Sequence, residues 1–190
     1  MADYFVDGED ILENKLGIHD REALKAAEQE IVTNKTADIL NETAEDFGLD
    51  YLIHIHKVLF EGIYDFAGKI RTVDISKPDA ASPFAYVQFI DTESNRIFDD
   101  LKKKNYLNEL DQKNFIEEVT KLAVELNALH PFRDGNGRAI RLYLIMLTDH
   151  AGYLLDYSQV SATELIDADI RAFEGDVEKL LQVYRKTVSR

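Results

Sequence analysis

Proline is scarce in this chain, and its placement leaves most of the sequence free to form helices. The three prolines fall at two places, Pro78 and Pro83 in one segment and Pro131 in another. Proline disrupts the interior of helices and of central strands, whereas long segments without it can be helical. The 190 residues are 45% hydrophobic, which is enough to bury the core of one domain. We therefore expect a single, predominantly helical domain over residues 1–190.

Several segments have the apolar periodicity of amphipathic helices, and polar residues precede three of them. Asp50 and Asp111 each stand before apolar residues at helical spacing, and the first run ends near Gly68. Ser161 begins a capping-box pattern, and the apolar residues of 177–184 predict a final helix. These signals predict at least four helices.

Two further segments complete the helical prediction. Residues 138–147 are apolar almost all round apart from two arginines, which is typical of a helix at the centre of a bundle. Residues 20–46 are rich in Ala and Glu and predict a further helical stretch with one solvent-facing side. We expect a core over about 50–187, preceded by a helical extension over about 10–49.

One stretch departs from the helical pattern. Residues 72–76 alternate, residues 77–83 are rich in turn formers, and residues 84–90 are aromatic and β-branched. This order predicts a two-stranded β-hairpin. Because an isolated hairpin is marginal in water, it is either a simple cover over the core or a segment with a function.

Composition excludes several classes of protein. There is no cysteine, which excludes a disulfide framework and thiolate metal sites. The formal net charge of −14 argues against direct nucleic-acid binding, which depends on basic residues that neutralise phosphates. An acidic surface fits either a basic protein partner or simple solubility. No apolar stretch reaches membrane-spanning length and no signal-like N-terminus is present, so we expect a cytoplasmic protein without membrane contact.

Residues 130–141, His-Pro-Phe-Arg-Asp-Gly-Asn-Gly-Arg-Ala-Ile-Arg, combine an imidazole, a carboxylate, a glycine turn and two arginines. Gly135 and Gly137 allow positive φ angles and a close approach of backbone N–H groups to an anion. The start of the following helix would direct its unpaired N–H groups at that anion. Arg138 and Arg141, three residues apart, would lie on one helix face. The segment therefore predicts a polyphosphate site.

This segment resembles the signature of the Fic family, His-x-Phe-x-(Asp/Glu)-Gly-Asn-Gly-Arg-x-x-Arg, and meets each of its defined positions. Residues 64–68, 71–77 and 125–129 are similar to the parts that flank this signature in Fic domains. The resemblance covers about residues 10–187. It implies an all-α Fic fold, in which the hairpin is a small flap beside the active-site loop.

The resemblance implies a protein adenylyltransferase that moves AMP from ATP to a Ser, Thr or Tyr hydroxyl. His130 would then be the catalytic base that takes the proton of the hydroxyl, a task that suits the near-neutral pKa of an imidazole. Asp134 would bind the Mg²⁺ ion that bridges the ATP phosphates. Phe132 is grouped with the nucleotide-binding loop and is expected to bury that loop in the core.

The remaining positions of the signature are expected to bind phosphate. Asn136 and the backbone of Gly135 and Gly137 would form an anion hole around the α and β phosphates. Arg138 and Arg141 would hold the β and γ phosphates. Preorganised donors of this kind are usually the largest catalytic contribution.

In Fic proteins the flap aligns the segment of the target that is modified, in the manner of strand addition. Here the matching residues are Ile75, Ser76, Lys77 and Phe84. Some relatives modify subunits of type II topoisomerases, which are therefore candidate targets. Relatives with a lysine-containing loop are kinases, whereas this chain retains Gly137 and Arg138.

Many Fic proteins are inhibited by a helix with the pattern (Ser/Thr)-x-x-x-Glu-(Gly/Asn). The nearest match is Glu174–Gly175, but Ile170 stands where Ser or Thr is required. The chain thus resembles the toxin class, in which a separate small antitoxin supplies the inhibitory glutamate. The alternatives are a catalytically silent or ATP-sensing Fic-fold interaction module, or an enzyme that transfers another phosphate-containing group.

Overall fold

The structure, a computed structural model, describes residues 4–6, 8, 10–76 and 83–190. Seven α-helices lie within these ranges: α1 Arg21–Leu40, α2 Leu49–Phe60, α3 Val87–Lys103, α4 Gln112–Leu129, α5 Asn136–His150, α6 Ala162–Phe173 and α7 Glu178–Thr187. Strands β1 Leu154–Leu155 and β2 Val188–Ser189 pair antiparallel. The predominantly helical fold class is confirmed.

Helix α5 lies at the centre of the bundle and packs against α2 and α4, while α1 packs on α2 and α6 packs on α7. Nine of the fifteen residues of α5 are buried, as expected for a helix that is apolar on most sides. The hydroxyl of Tyr143, near the middle of α5, donates to the carbonyl of Phe47 and so satisfies its polar atom inside the core. One cluster of buried hydrophobic side chains extends from Leu24 to Val188.

The capping predictions have mixed outcomes. Asp111 caps α4 by accepting from the backbone N–H of Asn114, and Ser161 caps α6 by accepting from that of Glu164, as predicted. The prediction for Asp50 is wrong, because α2 begins after Gly48 and Asp50 lies in its first turn. Helix α2 also ends at Phe60, and the chain continues to Gly68 through turns.

The predicted β-hairpin is wrong for the residues that the structure describes. Residues 71–76 form no strand, and helix α3 begins at Val87, in the middle of the expected second strand. Residues 83–86 have no regular secondary structure, and the N–H of Ala85 donates to the carbonyl of Ala128. Val87 donates its N–H to the carboxylate of Asp74, which ties the start of α3 to the first arm of the segment. Hydrogen bonds to the Asp74 side chain and to the backbone of Ala128 therefore take the place of the expected ladder.

None of the described helices has the length and apolar character that a membrane crossing requires.

Candidate active site

The loop between α4 and α5 contains the signature residues, and two left-handed residues define its ends. His130 ends α4 with φ 45° and ψ 60°, and Gly135 precedes α5 with φ 77°. Pro131 and Phe132 between them are buried, and the Phe132 ring is fully so. The Phe132 ring stacks on the imidazole of His56, with ring centres 3.8 Å apart. This position confirms Phe132 as the residue that buries the loop in the core.

The side chain of Asn136 closes the loop on itself. Its Oδ1 accepts from the N–H of Phe132 at 2.9 Å, and its Nδ2 donates to the carbonyl of Phe132 at 2.8 Å. The amide is buried, and both of its ends are therefore occupied by the backbone. The expectation that this side chain faces phosphate is wrong for this structure, because the amide fixes the loop. Only the backbone N–H of Asn136 remains for an anion hole.

The two glycines of the loop are required for different reasons. Gly135 has a positive φ angle, which residues other than glycine rarely adopt, and a Cβ there would lie 2.5 Å from Cε2 of Phe60. Gly137 has no positive φ, in contrast to the prediction, and a Cβ there would lie 3.2 Å from Nη1 of Arg141. Gly137 therefore leaves the space in which the Arg141 guanidinium lies across the first turn of α5.

His130 is held by contacts on two sides. Its Nδ1 lies 3.2 Å from the carbonyl oxygen of Asn127, and its ring stacks on Phe84 with centres 3.7 Å apart. A contact between Nδ1 and a carbonyl favours the tautomer that is protonated at Nδ1, which places the lone pair on Nε2. This arrangement suits a general base that acts through Nε2.

Arg71 is a buried residue that organises the segment around His130. The exposed fraction of Arg71 is 1%. Its Nε donates to the carbonyl of His130 at 2.8 Å, and its backbone N–H donates to the carbonyl of Pro131 at 2.9 Å. The two Nη atoms donate to the carbonyls of Val73 and Ala85. Burial lowers the pKa of Arg71. One guanidinium thus connects the end of α4 to both arms of the segment that was predicted as the flap.

His56, on α2, supports the opposite end of the loop. Its Nε2 lies 2.9 Å from the carbonyl of Asp134, and its Nδ1 accepts from the N–H of Gly68 at 2.9 Å. One nitrogen donates and the other accepts, so the ring is neutral. Burial lowers the pKa of His56 to about 4, which agrees with that assignment. This residue positions the loop and does not bind a metal.

A cavity of about 1060 Å³ lies between α1 and the loop, and Asp134, Arg138 and Arg141 line it. Both arginines face this space, as their spacing predicts. His130 is not among the lining residues and lies at the other end of the loop, beside Phe84. The signature therefore places the cavity at one end of the loop and the imidazole at the other end.

Asp134 has the donor chemistry that a magnesium ion requires. Its Oδ1 accepts from the N–H of Gly135 at 2.7 Å, which orients the carboxylate beside the cavity. Among the described residues no group of three or more His, Cys, Asp or Glu side chains is able to hold a metal ion. A single carboxylate, completed by phosphate oxygens and water, fits the way in which Mg²⁺ binds at nucleotide sites.

Arg138 is held between two other helices. Its guanidinium lies 4.7 Å from the ring centre of Phe60, and its Nη1 forms an ion pair with Glu28 of α1. Arg133, at an unspecified position of the signature, lies over the rings of Tyr4 and Phe5 at 5.5 and 4.8 Å. The N-terminal segment therefore covers one side of the loop.

The residues predicted for the flap have different positions. Phe84 is buried against His130, Ile75 is half-buried and Ser76 is exposed. Lys77 lies outside the described residues. Of these four, only Phe84 makes a described contact with a residue of the signature.

Sequence reasoning missed three residues that support the site, although two of them left a signal. His56 lies on the apolar face of α2 that Leu52, Ile55 and Leu59 define, and Glu28 lies on α1 between Leu24 and Val32 at intervals of four. A polar residue inside an apolar stripe indicates a buried partner. Arg71 has no such pattern, because it lies in a loop.

The model of the Fic/DOC family matches residues 46–148. This chain belongs to the Fic/DOC family. It is 34% identical over 187 residues to "Probable protein adenylyltransferase Fic" of Escherichia coli K12, across 98% of this chain and 92% of that protein. It is also 33% identical over 180 residues to the protein adenylyltransferase VbhT of Bartonella schoenbuchensis, across 94% of this chain but 37% of VbhT.

Solved Fic structures share the fold along nearly the whole chain. The BepC protein of Bartonella tribocorum, with bound AMPPNP, has a TM-score of 0.95 at 26% identity and covers 98% of this chain and 96% of its own. The N-terminal Fic domain of a cell filamentation protein of Bartonella quintana, with bound ADP, has a TM-score of 0.95 at 25% identity, with coverage of 98% and 94%.

Proposed function

We propose that this chain is a protein adenylyltransferase, a nucleotidyltransferase that moves AMP from ATP to a Ser, Thr or Tyr hydroxyl of a target protein. The observation that supports it best is the cavity, which is lined by Asp134 of the loop and by Arg138 and Arg141 from the first turns of α5. Unpaired N–H groups at a helix start and two guanidinium groups are complementary to a triphosphate. Relatives at 33–34% identity over nearly all of this chain are named as protein adenylyltransferases, which supports the same activity.

The proposed reaction is an attack of the hydroxyl oxygen on the α phosphorus. The new bond joins that oxygen to the α phosphorus, the bond from the α phosphorus to the β-phosphate oxygen breaks, and pyrophosphate leaves. His130 accepts the hydroxyl proton at Nε2, the nitrogen that its contact with Asn127 leaves with the lone pair. Backbone N–H groups of Asn136 and Gly137 stabilise charge on the α and β phosphates, whereas the N–H of Gly135 donates to the carboxylate of Asp134.

Arg138 and Arg141 are proposed to hold the β and γ phosphates, which fixes the phosphorus that faces His130. Asp134 is the residue that would hold Mg²⁺, which supplies charge neutralisation to the phosphates when bound. Because Gly137 has no side chain, the Arg141 guanidinium can lie close to the backbone of the loop. The backbone and this arginine are proposed to form one phosphate-binding surface.

The target and the inhibitor are finer proposals. Ile75, Ser76, Lys77 and Phe84 are proposed to position the target, with Phe84 in contact with the base. Type II topoisomerase subunits are the proposed targets. The proposed inhibitor is a small antitoxin that inserts a glutamate beside Arg141, which would make this chain the toxin of a cytoplasmic toxin–antitoxin pair.

Position-specific labels on ATP test the activity. The purified chain is incubated with Mg²⁺, purified gyrase and a bacterial lysate, and with ATP labelled either at the α or at the γ phosphate. Adenylyl transfer predicts label on protein from the first nucleotide alone, whereas phosphoryl transfer predicts label from the second.

The His130→Ala variant supplies the test of the base, and His150→Ala supplies a matched control outside the loop. We expect the first to lose the label while it still binds ATP, and the second to retain both. Unchanged labelling by His130→Ala would refute the role of the imidazole. ATP binding without any labelling by the wild-type chain would favour a sensor over an enzyme.

A further inference from the structure

Glu28 of α1 is a buried acidic residue that no position of the signature explains. Its exposed fraction is 7%, and it lies in an apolar stripe of α1 between Leu24 and Val32. An isolated buried carboxylate is strongly unfavourable, so its partners must hold it there. Glu28 also lines the same cavity as Asp134 and Arg138.

Both carboxylate oxygens of Glu28 have a partner. Oε2 accepts from the hydroxyl of Tyr64 at 2.7 Å, and Oε1 forms the ion pair with Nη1 of Arg138. Burial and the neighbouring carboxylate raise the pKa of Tyr64, so that hydroxyl remains a donor across the physiological range. The carboxylate is therefore fixed from both sides.

The Arg138 guanidinium is correspondingly held on two sides. The Phe60 ring lies 4.7 Å from it, and Glu28 contacts Nη1. A guanidinium has five N–H donors in a rigid plane, and the ion pair with Glu28 is formed through Nη1. Preorganisation of such a group increases affinity, because less rotamer entropy is lost when a ligand binds.

We propose that Glu28, supported by Tyr64, is a positioning residue that orients Arg138 toward the outer phosphates of ATP. This inference rests on the proposed function, since it assumes that the cavity binds a nucleotide. The opposite role would be competition, in which Glu28 must leave Arg138 before phosphate binds. The Tyr64 hydrogen bond and the burial of Glu28 favour a fixed support over a group that moves away.

Calorimetric titration with Mg²⁺ and either ATP or AMP tests the proposal without knowledge of the target protein. Glu28→Gln removes the charge and nearly preserves the shape. We expect its affinity for ATP to fall about tenfold, as for the loss of one charge-assisted contact. Its affinity for AMP should stay near that of the wild-type chain, because Arg138 is assigned to the β and γ phosphates. A merely structural defect would weaken both ligands alike.

Two further variants keep the test decisive. Glu118→Gln is the matched control, because Glu118 forms ion pairs with Lys104 and Lys121 away from the cavity, and we expect it to bind ATP normally. Tyr64→Phe removes only the hydroxyl that holds Oε2, and a smaller selective loss of ATP affinity is expected even if Glu28→Gln fails to fold.

The outcomes separate this inference from the proposed function. Unchanged ATP affinity in Glu28→Gln and Tyr64→Phe would overturn the inference alone, and tighter ATP binding would replace it with competition. A wild-type chain that does not bind ATP would overturn both this inference and the proposed function.

Discussion

His56 gives a prediction whose sign and size follow directly from the structure. The ring is neutral when folded, because Nδ1 accepts from Gly68 and Nε2 lies at the carbonyl of Asp134. Burial lowers its pKa from 6.5 to about 4. The unfolded chain therefore binds a proton at a higher pH than the folded chain does. The contribution of His56 to stability is fully present above pH 6.5 and is lost as the pH falls toward about 4.

The size of the effect follows from the two pKa values. Between pH 7 and pH 5 the linkage relation gives a loss of about 2 kcal/mol in the free energy of unfolding from His56 alone. The other histidines and the carboxyl groups also titrate, so the wild-type chain must be compared with a variant. His56→Gln retains a neutral N–H donor at the end of the side chain but has no proton to gain. This variant is expected to be less stable at pH 7 and to lose about 2 kcal/mol less on acidification.

Urea unfolding in metal-free buffer at the two pH values measures this difference. The chain has no tryptophan, so far-ultraviolet circular dichroism is the suitable signal for a helical protein. If the wild-type and His56→Gln chains lose equal stability between the two pH values, His56 is not held neutral and the assignment of its two hydrogen bonds is wrong.

Three substitutions test other parts of the site and fold by the same urea assay. Gly135→Ala places a Cβ against Phe60 at a positive φ and is expected to lower the free energy of unfolding by about 3 kcal/mol. A Cβ at Gly62 meets no atom, so Gly62→Ala should change it little. Equal effects of the two substitutions would refute the steric argument. Arg71→Lys leaves buried carbonyls without donors, so we expect the free energy of unfolding to fall by about 2 kcal/mol and labelling by ATP to become slower. Unchanged stability and an unchanged labelling rate would show that the guanidinium contacts are dispensable. Asp111→Ala removes the cap of α4 and is expected to lower the free energy of unfolding by about 1 kcal/mol. Asp50→Ala removes no cap and should lower it less. A larger loss for Asp50→Ala would contradict the observed start of α2.

Helix periodicity and the loop chemistry predicted most of the architecture. The central helix and the caps at Asp111 and Ser161 follow from local rules, because apolar spacing and side-chain oxygens act within a few residues. The segment from 71 to 90 followed no such rule. Its aromatic and β-branched residues favour a strand, but Asp74 accepts from the N–H of Val87 and a helix starts there instead. Tertiary context overrides β propensity in this way.

The signature identified the loop that faces the cavity but not the residues that support it. His56, Arg71 and Glu28 act through partners 78, 59 and 36 positions away in the sequence. No local pattern specifies such partners, although a charged or polar residue inside an apolar stripe indicates that one exists. Asn136 shows the converse error, since its side chain has the chemistry of a phosphate ligand but fixes the loop.

A crystal structure of the chain with Mg²⁺ and a non-hydrolysable ATP analogue tests the central claim most directly. We expect the triphosphate between the first turn of α5 and the guanidinium groups of Arg138 and Arg141, with the α phosphorus on the side of His130. A nucleotide bound elsewhere, or one whose γ phosphate faces the imidazole, would contradict the proposed adenylyl transfer.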